Sequence, residues 1–313
     1  MALRFFLIFI LSLNVFADDC DPVNLITETN SPFQKIPVYN QGALNICYAY
    51  SAAQILDWYQ MKNGATKRTV HPAWAALQYA LKRNKDKLEI GHPKEAMESV
   101  RTSFNCDYDA VESALKELSP TESNVLVAIE RGTFRSPASH TPVEILRQAL
   151  EKNCSPDKRT FVMVPEVERL NYRTLNDDEA YEKFLSTKFS SAPSPVSIAY
   201  CANVWKTPEF DGIDVNVMGQ RDVVKKGCEY HESLIVGQKM LGNSCHFLVR
   251  NTWGDRWTSY NKNYSCVCRD NTTGAFVDDC RPETHRNDRY SVEGCWLRSS
   301  DLARNIGQLT YVK

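Results

Sequence analysis

Gln41-Gly42-Ala43-Leu44-Asn45-Ile46-Cys47-Tyr48-Ala49-Tyr50-Ser51 decides how the rest of this chain is read. A glutamine precedes a cysteine by six residues, and the cysteine opens an apolar pattern. Tyr48, Tyr50, Ala52, Ile55, Leu56 and Tyr59 recur at helical spacing, and Asn63-Gly64 follows where a C-cap glycine belongs. The spacing predicts a buried helix of about four turns beginning at Cys47. That position has chemical meaning. A thiol is a good nucleophile only as thiolate, and the partial positive charge at a helix N-terminus favours the anion. An attacked carbonyl oxygen would need donors already aimed at it, and the Cys47 backbone N–H and the Gln41 side-chain amide could supply them. The competing reading makes Cys47 a small buried residue or half of a disulfide, and the cysteine alone does not decide between them.

The cysteine count bears on that choice. There are 11, an odd number. Met1 to Ala17 has a basic start at Arg4, an apolar run and a small closing residue, the pattern of a secretory signal peptide with cleavage expected after Ala17. The run from Phe5 to Phe16, broken by Ser12 and Asn14, is shorter than the roughly 20 apolar residues of a bilayer-spanning helix. No membrane association is expected after its removal, and Asp18 and Asp19 argue against a lipid on Cys20. The protein is therefore expected to be secreted or periplasmic, where cysteines pair and a leftover thiol needs a task. Cys266, Cys268, Cys280 and Cys295 could be drawn as four metal ligands, but one residue separates the close pair where zinc sites use two to four. No metal and no cofactor is expected.

With 43% apolar residues the chain can build a substantial core. A formal net charge of -1 and the absence of Lys/Arg runs interleaved with aromatics exclude nucleic acid as an expected partner. There is no internal repeat. Pro22, Pro32 and Pro37 make residues 18–40 an extended approach. Helices are predicted over Pro72 to Lys82, Lys94 to Phe104, Asp109 to Leu118 and Pro142 to Lys152. The second half turns to β-branched and aromatic runs: Pro195 to Tyr200, Ser233 to Val236, His246 to Arg250 and Gln308 to Val312 read as strands. The fold class is α+β, with a helical lobe over about 38–175 and a β-rich lobe over about 176–313. The stretch 258–294 reads as a cysteine-rich, disulfide-tied surface loop.

Two further motifs carry chemistry. Of six histidines, only His231 stands directly before a strand ending in glycine, in Glu229-Tyr230-His231-Glu232-Ser233-Leu234-Ile235-Val236-Gly237. His246 lies in one strand with Asn251, five residues before it, so their side chains should face opposite ways. His71 and His92 each precede a proline and read as helix-entry or loop residues. Asn251-Thr252-Trp253-Gly254 follows, with Trp257 close behind. Alone, Asn251 could cap a turn and Trp253 fill a core.

Taken together, Gln41, Cys47, His231 and Asn251, each in its local context, resemble the papain-like cysteine peptidases. The resemblance implies a two-lobe fold with the nucleophile helix packed against a β-sheet lobe. It implies that Cys47 attacks, His231 carries the proton, Asn251 orients the imidazole, Gln41 binds the oxyanion and Trp253 covers the His–Asn bond. A peptide or protein would be the substrate. Pro195 to Ala199 resembles the strand upstream of the family's histidine. Gly91 is similar to the end of the glycine-rich stretch that pairs with bound peptide, although Ile90 stands where the first glycine would be. Glu232, after the histidine, would line the main specificity pocket and favour a basic side chain.

The chain also departs from that pattern. Leu44 and Asn45 replace a cysteine and a glycine, so one familiar disulfide is expected to be missing. Cys201–Cys228, flanking an insertion before His231, and Cys106–Cys154 are expected instead, while the other six candidates stay unpaired on sequence grounds. No long propeptide is expected before Gln41, which would leave control to an insertion over 105–175 or to an inhibitory or activating partner. Two other readings stay open: a catalytically silent papain-like binding module, and a cell-wall peptide hydrolase or transpeptidase using the same residues.

Overall fold

A computed structural model describes residues 20–42, 45–88, 90–101, 104–118, 140–171, 174–175, 177–215, 221–254, 260–281 and 289–313. The signal segment, Leu44, Trp257 and His285 lie outside them. The helix expected at Cys47 is α1, Cys47–Lys62. It stops at Asn63 and Gly64, where φ of +98° suits a residue without a β-carbon. Burial surrounds α1 on every side, and Ser51, Gln54, Asp57 and Gln60 are enclosed along with its apolar residues.

A buried carboxylate needs donors. Asp57 Oδ1 finds them in the backbone N–H groups of Thr69 (2.7 Å) and Val70 (3.0 Å), drawing the connecting segment back along the helix. This sets the start of α2, Pro72–Lys82, whose N-cap is His71: its Nδ1 accepts from the Ala73 N–H at 3.1 Å. His92 has the equivalent place before α3, Pro93–Arg101, where its carbonyl accepts from Ala96 N–H. Both histidines are helix-entry residues, as their prolines suggest. Helices α4, Tyr108–Leu118, and α5, Pro142–Asn153, pack on each other beside the Cys106–Cys154 disulfide.

The strands are β1 (Val23–Asn24), β2 (Asn105–Cys106), β3 (Arg159–Thr160), β4 (Val167–Asn171), β5 (Val196–Cys201), β6 (Ile213–Val215), β7 (Arg221–Val224), β8 (Tyr230–Leu241), β9 (Ser244–Arg250), β10 (Cys266–Asp270), β11 (Phe276–Cys280), β12 (Tyr290–Arg298) and β13 (Ile306–Val312). Nine of them form one antiparallel sheet in the order β11-β10-β12-β9-β8-β5-β13-β4, with β1 added beside β8. Helix α1 packs against β8 and β5. Helices α6, Asp178–Ser191, and α7, Ser299–Ala303, pack together and against β8, β9 and β12. The class is α+β.

Four features differ from the sequence expectation. The strand expected over Ser233 to Val236 runs for 12 residues, because His231 and Glu232, polar by type, are buried at its start. The stretch 258–294 is not a surface loop where it is described: β10, β11 and much of β12 extend the main sheet. Its four cysteines are buried alongside Val267 and Val292 and paired as Cys266–Cys295 and Cys268–Cys280, so the four drawn as metal ligands are spent on disulfides. Strand β4 and helix α6 went unread, although Tyr181, Leu185 and Phe189 recur every fourth residue on the buried side of α6.

The Cys201–Cys228 and Cys106–Cys154 pairs are present as expected, and Cys20–Cys245 joins the approach segment to β9. That segment is also held from inside. Fully buried Arg250 pairs with Glu293 at 3.1 Å and donates to the Ile36 carbonyl, and Arg269 donates to the carbonyls of Phe33 and Gln34. The chain thus reaches Tyr39–Gln41 on a fixed path beside the end of β9.

Candidate active site

Cys47 is the first residue of α1, is partly exposed, and is the one free cysteine among the described residues. No side chain caps this helix start and no acidic residue occupies its first turn. Its N–H groups are therefore available to an anion. Strand β8 brings a further donor: the Glu232 backbone N–H, like those of Tyr48 and Cys47, hydrogen-bonds to the sulfur and favours the thiolate. Burial outweighs these donors. Desolvation, aided by the nearby Glu232 carboxylate, pushes the Cys47 thiol up to about 12.

His231 is buried in β8 immediately before Glu232. Its Nε2 lies 2.8 Å from Asn251 Oδ1, so Nε2 carries the proton and Nδ1 is left as the basic nitrogen. Burial holds the imidazole down to about 4, and the Asn251 bond opposes this only in part. Burial thus favours the neutral form of each group taken singly, against the thiolate that a helix N-terminus alone suggests. A proton moved from sulfur to nitrogen would create opposite charges whose attraction opposes the desolvation of each.

The Trp253 ring stacks on the His231 ring at 4.1 Å between centroids and 24° between planes, covering one face of the imidazole. Gln41 is buried next to the same loop: its N–H donates to the Thr252 carbonyl at 2.9 Å, and its Oε1 accepts from Thr252 Oγ1 at 2.6 Å. That fixes which end of the amide faces Thr252 and leaves Nε2 as the end that can serve as a donor elsewhere. An antiparallel bridge from Asn40 to Trp253 and a bond from the Gly254 N–H to the Tyr39 carbonyl at 2.9 Å complete the attachment.

Gly91 lies against Tyr48, the neighbour of Cys47. A β-carbon there would come within 2.8 Å of ring atoms of Tyr48 and Tyr79, a close approach only glycine permits. Glu232 is 4% exposed, and Oε2 has no hydrogen-bond partner among the described residues. Burial raises its carboxyl well above the ordinary carboxylate range, against a smaller opposing pull from Arg169. His246 is elsewhere: its Nδ1 faces the Ser244 carbonyl at 3.0 Å, and its cross-strand neighbours are Lys239 and Arg298.

Sequence reasoning missed Thr252, Ser233, Tyr200 and Trp205, which contact the His231–Asn251 pair or stand behind it. Ser233 had a signal: two residues beyond His231 in a strand, it shares that histidine's face. Tyr200 and Trp205 had none, because their relation to Ser233 arises from strand pairing.

No protein-family model matches this sequence, and no characterised protein matches it by sequence. The structure does have relatives. Xylellain, a cysteine protease from Xylella fastidiosa, is 12% identical, with 93% of this chain and 85% of that one covered and a TM-score of 0.50. A structure described for the mite allergens Blo t 1 and Der p 1 is 13% identical over 96% of this chain and 73% of that one, with a TM-score of 0.48. Procathepsin L 3 of Tenebrio molitor larval midgut is 10% identical over 93% and 69%, with a TM-score of 0.44. At such identities the likeness speaks for the fold, and the first of these carries it. The chain has the fold of the papain-like cysteine proteases.

Proposed function

We propose that the protein is a cysteine peptidase that hydrolyses peptide bonds in a peptide or protein substrate through a thioester acyl-enzyme. The observation that carries this reading is the buried 2.8 Å His231–Asn251 pair stacked on by Trp253, together with a free cysteine at a helix start that meets the backbone of Glu232, the residue after His231. His231 Nδ1 takes the Cys47 proton as sulfur attacks the carbonyl carbon. The carbonyl oxygen becomes negative and is received by the Cys47 N–H and Gln41 Nε2. The tetrahedral intermediate collapses, the C–N bond breaks, and His231 gives the proton to the leaving amine. Water then attacks the thioester, losing its proton to His231, and the returning proton regenerates the thiol.

Glu232 supports a specificity within this reading. A buried carboxyl with one oxygen unpartnered suits a cationic side chain of the substrate, which would draw the carboxyl into its charged form. Gly91, buried against the Tyr48 and Tyr79 rings, is the position at which extended peptide would approach the neighbour of Cys47. Five disulfides fit an oxidising compartment, and secretion or periplasmic export with residues 18–313 as the mature protein follows from the N-terminal pattern.

The test is labelling of the mature protein with an epoxide directed at thiol peptidases, followed by peptide mapping. An adduct on Cys47 that abolishes hydrolysis is expected. Adduct formation at another residue, or hydrolysis that survives Cys47→Ala, would sink the mechanism. A binding module would keep its biological effect in Cys47→Ala, and product analysis separates hydrolysis from transfer to an amine.

A further inference from the structure

The Asn251 side-chain oxygen receives more than the His231 proton. The Thr252 backbone N–H donates to it at 2.7 Å and Ser233 Oγ at 3.4 Å. Ser233 Oγ is 3.0 Å from Tyr200 OH, and the Trp205 indole N–H donates to that hydroxyl at 2.6 Å. All four of these side chains are within 1% of complete burial. The register explains the meeting: Tyr200 in β5 stands opposite His231 in β8, and Ser233 lies on the same face of β8 as His231.

The ends of this chain fix every proton in it. An indole N–H can only donate, so the Tyr200 oxygen accepts and its one proton is left for Ser233. Asn251 Oδ1 can only accept, so the Ser233 proton points at Asn251. The direction therefore runs from Trp205 through Tyr200 and Ser233 to Asn251, where it meets the proton of His231 Nε2. A flipped Asn251 amide would turn its NH2 group against three donors and leave them unpaired in the interior, which is strongly disfavoured. With the oxygen held toward His231, the imidazole proton stays on Nε2 and the basic lone pair stays on Nδ1.

We infer that Ser233 and Tyr200, anchored by Trp205, are positioning residues that select the catalytically useful tautomer of His231 by fixing the orientation of the Asn251 amide. The inference rests on the peptidase reading for its kinetic consequence and on hydrogen-bond chemistry alone for its structural one.

Both consequences can be measured with the full mature protein. Ser233→Ala and Tyr200→Phe should each lower kcat about tenfold with KM within about twofold, and the double variant should lose little more than either single, because both break one chain. Ser233→Thr, which keeps the hydroxyl, should restore most of the rate. Independently, histidine 15N shifts in Cys47→Ala protein should report the Nε2–H tautomer, and adding Ser233→Ala should give a mixture. Unchanged kcat and an unchanged tautomer in folded Ser233→Ala protein overturn the inference, as do fully additive losses. A wild-type protein without Cys47-dependent hydrolysis instead overturns the peptidase reading, while the tautomer measurement still decides the relay.

Discussion

The Trp253 indole and the His231 imidazole lie face to face, 4.1 Å between ring centroids. The contact covers one face of the imidazole and so contributes to the burial that lowers it to about 4. Trp253→Ala should relieve that desolvation. The acid limb of the kcat/KM profile, where His231 gains a proton and ceases to be a base, should move toward the ordinary histidine value near 6.5, with kcat down about tenfold. An acid limb that stays in place would show that other walls enclose the ring.

Asp57 should give the protein a stability that depends on pH. Its carboxyl is completely buried and raised from 3.8 to about 6, chiefly by desolvation. A raised carboxyl contributes stability that is fully present below the unfolded value and is lost as pH rises through the folded one. The loss between about pH 4 and pH 6 is on the order of 3 kcal/mol from this group. His231 acts oppositely, since its depressed value removes stability as pH falls from about 6.5 toward 4. Asp57→Asn keeps an oxygen for Thr69 and Val70 and abolishes the charge. Between pH 5 and pH 8 the two groups oppose each other, so urea midpoints at these pH values should differ more in the variant, where the His231 change is uncompensated, than in the wild type.

Gly91→Ala places a β-carbon 2.8 Å from the Tyr48 and Tyr79 rings. One ring must shift, at a cost of about 1–3 kcal/mol of stability. Because Tyr48 adjoins Cys47, KM should rise several-fold as well. Unaltered KM in a destabilised variant would remove Gly91 from the substrate path.

Glu232 should make basic substrates pH-sensitive. Burial raises its carboxyl and a cation would draw it toward the charged form, so KM for peptides with lysine or arginine in that pocket should increase as pH falls, while neutral peptides change less. Glu232→Gln should abolish the preference. A peptide panel showing equal basic preference in both proteins would refute the assignment.

The strongest sequence signals were those in which local spacing and chemistry coincide. The helix at Cys47, its end at Gly64 and the helix opening at Pro72 could be placed because capping residues and periodicity mark them in adjacent positions. His231, Asn251, Gln41 and Trp253 could be named as candidates, and the fold brings these four together. What stayed illegible depends on pairing across distance. The 266–280 strands look polar because charged and hydroxyl residues surround their short apolar runs, and nothing local says that Cys266 meets Cys295. Tyr200 and Ser233 are unremarkable until β5 and β8 are aligned. The protonation states were also hidden, since a helix start argues for a thiolate while burial of the finished site argues for the thiol.

The backbone rung from the Gln41 N–H to the Thr252 carbonyl has a mechanical meaning. Gln41 precedes Cys47 in sequence, yet it is fastened to the loop that carries Asn251 and Trp253, which is in turn fastened to His231. Gln41, Asn251 and His231 are therefore tied to one another by hydrogen bonds, while Cys47 stands apart at the tip of α1. In the proposed reaction, anything that seats or unseats α1 against β8 would act as one dial on the whole.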